Sequence, residues 1–86
     1  MTFEPGWLPY GWKVTDNKER KKDFDGIRFV CPMWTIVIEE AFVTNDWDVY
    51  VWKPNGGEDA YRDPDLDTAL ERAKRYAYMI ERGEYQ

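Results

Sequence analysis

From Trp34 to Glu39 the chain alternates strictly, with Trp34, Ile36 and Ile38 falling on one side and Thr35, Val37 and Glu39 on the other. Such a period of two, in a run rich in β-branched residues, predicts a strand, one that could run on through Ala41 to Val43. Thr44-Asn45-Asp46 then supplies turn chemistry. A return strand from Trp47 to Lys53 sets Trp47, Val49 and Val51 against Asp48, Tyr50 and Trp52. One of its faces is aliphatic and the other aromatic and polar. Upstream, Ile27, Phe29 and Cys31 alternate with Arg28 and Val30 until Pro32 ends the run, and Trp12 and Val14 alternate with Lys13 and Thr15. Downstream, Pro54-Asn55-Gly56-Gly57 predicts a tight hairpin turn, followed by a short edge strand around Asp59 to Arg62.

After Arg62 the period changes from two to 3.6. Leu66, Ala69, Leu70, Ala73, Tyr76, Ala77 and Ile80 share one stripe, which predicts an amphipathic helix over residues 63–83 lying on the sheet. Asp63 is expected as its cap, Pro64 as its first residue and Gly83 as its stop. Residues 1–11 mix Gly and Pro with aromatics in neither period. They read as an extended N-terminal arm whose Trp7 and Leu8 pack back on the domain. The expected fold is a single α+β domain over residues 1–86. It consists of a three- to five-stranded, mostly antiparallel sheet with one C-terminal amphipathic helix packed on one face.

Composition adds weight to this picture. An 86-residue chain has room for one core, and five Trp, six Tyr and four Phe supply much of its apolar area. No apolar run approaches the roughly 18 residues that would span a bilayer, and the N-terminal residues lack signal-peptide character. A cytoplasmic protein with no membrane contact is expected. A lone Cys31 fits a reducing compartment.

The net charge of -5 is unevenly distributed. Residues 39–67 hold nine carboxylates against Lys53 and Arg62, a balance of -7. A field of that sign attracts basic surfaces and repels phosphate backbones. Lys18-Glu19-Arg20-Lys21-Lys22 is offset by Asp16, Asp23 and Asp25, and reads as a solvated hairpin loop.

Catalytic chemistry finds little purchase. The chain has no His, which removes His-based triads, His general bases and most zinc sites, and one Cys cannot build a Cys-rich zinc site. Adjacent Glu39 and Glu40 point to opposite faces of a strand and cannot act as a pair. Asp63-Pro64-Asp65-Leu66-Asp67 imitates the start of a calcium loop, but Thr68 and Lys74 stand where Gly and a bidentate Glu are needed. No cofactor, metal or catalytic residue is assigned.

The spacing from Leu8-Pro9-Tyr10-Gly11-Trp12 to Trp34 resembles that of a WW domain. Thr35-Ile36-Val37 replaces the Pro expected after the second Trp, so no proline-rich ligand is implied. The hairpin followed by residues 66–73 is similar to the partner-binding domain of HicB-type antitoxins. The Gly-containing segment of that family is absent at Ala60-Tyr61-Arg62-Asp63, and no residue role is carried over.

A non-enzymatic protein-binding module is therefore expected, a small regulatory or inhibitory protein of phage or mobile-element kind. Asp46, Asp48, Glu58 and Asp59 would steer a basic partner, and Tyr50 and Trp52 would anchor it. The alternative is nucleic-acid or carbohydrate binding through an exposed aromatic sheet face. Edge-strand pairing or a self-complementary aromatic face would instead produce a homodimer.

Overall fold

A computed structural model describes residues 5–16, 26–41 and 43–85 of the chain. Five strands come first, β1 (Lys13–Asp16), β2 (Gly26–Val30), β3 (Thr35–Glu40), β4 (Trp47–Trp52) and β5 (Glu58–Asp63), and one helix follows, α1 (Leu66–Glu81). Every strand pairs antiparallel with the next, giving a sheet in the order β1-β2-β3-β4-β5 with α1 packed against it. The α+β class is as the alternating and helical periods predicted. The basic loop expected around Lys18 to Lys22 lies outside the described residues.

Register decides what is buried. Phe29 stands opposite Ile36 and Ile36 opposite Val51, while Ile27 stands opposite Ile38 and Ile38 opposite Val49. All of these side chains therefore leave the sheet on one face. Phe29, Ile36, Ile38, Val49 and Val51 are wholly buried there. Helix α1 crosses the same face over β3, β4 and β5, presenting Ala69, Ala73 and Ala77, none of which retains any exposure. Alanine side chains end at Cβ, so the helix backbone can come close to the aliphatic layer beneath.

The N-terminal arm shares this face with the helix. It is not extended: the Leu8 N–H donates to the Pro5 carbonyl at 3.3 Å and the Trp12 N–H to the Pro9 carbonyl at 3.1 Å. Two successive turns result, each opening on a proline, and in the second Gly11 supplies the positive φ of 91° at the third turn position. Trp12 is buried, and the Trp7 ring lies 5.4 Å from that of Phe29. Two bonds fasten the arm to the helix, Tyr78 Oη donating to the Trp7 carbonyl at 2.6 Å and Trp12 Nε1 donating to Glu81.

The helix begins later than its aspartates suggest. Its cap is Asp65, in an extended conformation (φ -149°, ψ 167°), with its carboxylate accepting from the Thr68 N–H at 2.8 Å. Asp63 is instead the last residue of β5, opposite Trp47, and only 3% exposed. Arg72, on the second turn of α1, grips its carboxylate through Nε at 2.8 Å and Nη2 at 3.0 Å. A carboxylate held by a guanidinium across the fold is not available for capping, and the role passes to the next aspartate. At the other end Gly83 adopts φ 70°, its N–H reaches Ile80 and that of Glu84 reaches Met79, closing the helix as predicted.

Candidate functional site

The face of the sheet turned away from α1 carries four of the six residues expected to meet a partner. Strand alternation puts Asp48, Tyr50 and Trp52 of β4 on it, together with Glu58 of β5. Glu58 stands opposite Trp52, and Trp52 Nε1 donates to its carboxylate at 2.7 Å. Asp48 stands opposite Arg62, whose Nε donates to it at 2.8 Å. This bond raises the Arg62 pKa above its ordinary value. The Arg28 guanidinium from β2 lies 5.4 Å from the centre of the Trp52 ring, close enough for a cation–π contact.

Asp59 does not belong to this group. It stands opposite Val51 and so faces the helix side, where Tyr85 Oη donates to it at 2.6 Å and Lys53 Nζ approaches to 3.2 Å. The Tyr85 bond, and after it Lys53, hold the Asp59 carboxyl below its usual range despite the opposing effect of desolvation. Tyr85 responds in the opposite sense, burial first and then Asp59 and Tyr61 pushing its hydroxyl up. The rings of Tyr61, Tyr76 and Tyr85 meet at centroid distances of 5.0 and 5.1 Å, and Arg72 lies over Tyr61 at 4.7 Å. These three rings are structural, packed against the core beside α1.

Charge on the far face is balanced. Among the described strand residues there, Glu39, Asp48 and Glu58 are matched by Lys13, Arg28 and Arg62. The acidity gathers at one end of the sheet, where β3 finishes, β4 starts, β5 finishes and α1 starts. Glu39, Glu40, Asp46, Asp48, Asp63, Asp65 and Asp67 all belong to this end. Asp46 sits there in the β3–β4 turn, closed by the Ala41 N–H donating to its carbonyl at 2.7 Å and by Asn45 at φ 60°. Asp65 and Asp67 are exposed, whereas Glu39 is 5% exposed and stands opposite Asp48. Among the described residues no three His, Cys, Asp or Glu side chains are disposed to hold a metal ion.

The opposite end of the molecule carries a largely apolar groove. Its volume is about 350 Å³, it is lined by Tyr10, Cys31, Met33, Trp34, Ile80 and Glu81, and both Tyr10 and Met33 are exposed. No local pattern in the sequence marks this groove, since its walls come from the N-terminal turns, the β2–β3 turn and the last turn of α1. The one signal was the pair of punctuated aromatic segments around Tyr10 and Trp34.

No protein-family model matches the chain, and no curated protein or solved structure shows significant similarity to it. No helix among the described residues is long and apolar enough to cross a membrane.

Proposed function

We propose that this chain is a small cytoplasmic protein-binding module without catalytic activity, regulatory or inhibitory in kind. It engages a basic protein surface through the acidic end of its sheet and the adjoining far face of β4 and β5. The observation that carries the reading is the convergence of carboxylates from the ends of three strands and the start of the helix. Asp48 and Asp63 are offset by Arg62 and Arg72, and a complementary basic surface would offset Glu40, Asp46, Asp65 and Asp67 on binding. Asp46 and Asp48 steer the partner, and Tyr50, half-buried beside them, offers an aromatic contact. Glu58 and Trp52 extend the surface towards the far end of the strands, while Asp59 is set aside by its bond to Tyr85. The lack of any His favours binding over catalysis.

The test is capture from the native host with the chain as bait, compared with an Asp46→Lys/Asp48→Lys bait. A basic protein retained by the first and weakened at least about tenfold with the second supports the reading. Equal retention by both, or stronger retention of nucleic acid by the lysine bait, overturns it.

A further inference from the structure

Strand β5 is the last in the sheet, and among the described residues no strand pairs with its outer edge. Hairpin closure decides which backbone groups that edge presents. The Lys53 N–H donates to the Gly57 carbonyl at 2.8 Å. In an antiparallel ladder the direction alternates, so Asp59, Tyr61 and Asp63 share the orientation of Gly57 and turn their N–H and C=O towards β4. Glu58, Ala60 and Arg62 turn theirs outward. These three also carry the exposed side chains of the strand, which contains no proline and pairs with β4 without a bulge. A regular edge of this kind is a template for another strand.

The geometry points to a second copy of this chain as the occupant: two β5 strands pair antiparallel about a two-fold axis at Ala60, joining two five-stranded sheets into one. An axis perpendicular to the sheet keeps each face with itself, so only residues of one face can stand opposite each other. Of the registers that remain, the one centred on Ala60 sets Glu58 opposite the partner's Arg62, twice by symmetry, and Asp59 opposite the partner's Tyr61. Centring on Glu58 or Asp59 opposes identical carboxylates, centring on Tyr61 opposes Asp59 and Asp63, and centring on Arg62 opposes two guanidinium groups. Only the Ala60 register pairs opposite charges and leaves none facing its like.

The outward backbone groups agree with this register. Glu58, Ala60 and Arg62 become the hydrogen-bonded positions, each both donating and accepting, with the small Ala60 side chain at the axis. Arg62 spends Nε on Asp48 of its own chain, and its remaining guanidinium donors can reach a carboxylate across the seam. Glu58 receives Trp52 on one oxygen and can accept on the other. Because α1 lies over β3, β4 and β5, the two helices stand roughly three strand spacings apart, about 14 Å. That exceeds the roughly 8 to 10 Å of packed helices, so they do not collide.

Light scattering over a dilution series tests the proposal, the expected mass being twice the 10.3 kDa of one chain at high concentration. Glu58→Arg and Arg62→Glu should each weaken the dimer at least about tenfold. Combining the two substitutions should restore it, since the charges then face each other in exchanged positions. Ala60→Pro, which removes an outward N–H that no described strand of the same chain uses, should leave the chain folded by circular dichroism and monomeric by light scattering. A monomer mass persisting to millimolar concentration overturns the proposal. So does a dimer that tolerates both single reversals, or one that the combined exchange fails to restore.

Discussion

The two faces of this sheet are built on different physics. On the helix side, aliphatic side chains from β2, β3 and β4 meet a stripe of alanines, and the cohesion is removal of apolar surface from water. On the far side the visible joints are polar: Arg62 on Asp48, Trp52 on Glu58 and Arg28 over Trp52. Both faces contain tryptophan, tyrosine and β-branched residues, so composition does not separate them. What separates them is register, which gives one face the helix and the other a balanced set of charges. The far face is not bare, however: Val37 at its centre retains no exposure and Glu39 only 5%, and its exposed side chains belong to the outer strands β1 and β5.

The sharpest way to break this comparison is to remove a helix-side ring. Phe29, wholly buried and packed on Trp7, should cost about 3 to 5 kcal/mol on replacement by alanine. That is a large part of the margin of so small a domain, and urea denaturation would measure it directly. An effect below about 1 kcal/mol would mean that the apolar layer is not where cohesion resides. Ala73→Leu addresses the same layer by addition. With no exposed surface at Ala73, the extra atoms must displace the helix or the valines beneath, and a loss of about 1 to 3 kcal/mol in thermal or chemical unfolding is expected. The far face should answer more weakly. Arg62→Gln removes an ion pair whose arginine side chain is 57% exposed, and its cost in stability should stay within about 1 kcal/mol.

That ordering also marks how much the residues disclosed in advance. The strands containing Ile36 and Val49 were legible because their alternation is local and strong. The helix face was legible because Ala69, Ala73 and Ala77 recur every four residues. Its first residue was misplaced because Asp63 and Asp65 are equivalent as local signals on either side of Pro64. What distinguishes them is tertiary: Asp63 pairs opposite Trp47 in β5 and is held by Arg72 from across the fold. The arm reads as extended in the sequence because its turns leave no periodic trace, although prolines at 5 and 9 and glycine at 11 mark where they fall.

The candidate site was legible in part for a related reason. Counting charge over residues 39–67 finds the acidity but adds together side chains that leave the sheet on opposite faces. Glu58 and Asp59 are neighbours in sequence, yet one meets Trp52 and the other Tyr85. Asp46 lies far from Asp65 and Asp67 in sequence, yet all three belong to one end because antiparallel strands return there. Parity along a strand and the order of strands decide a surface field together, and a segment total contains neither. The groove beside Tyr10 and Met33 depends on three distant segments converging, which no single stretch encodes.

The fastening of the arm to the helix bears on the order in which the molecule is put together. Every strand pairing joins neighbours in the chain, so each hairpin closes a short loop and can form early. The bonds from Trp7 to Tyr78 and from Trp12 to Glu81 close loops of nearly the whole chain, and the entropy lost on closure grows with loop length. Topology therefore sets them among the last contacts expected to form and the first expected to part, and native-state hydrogen exchange would check that order. The arm is the latch of the fold, and the part of the core it holds shut is Phe29, on which Trp7 packs.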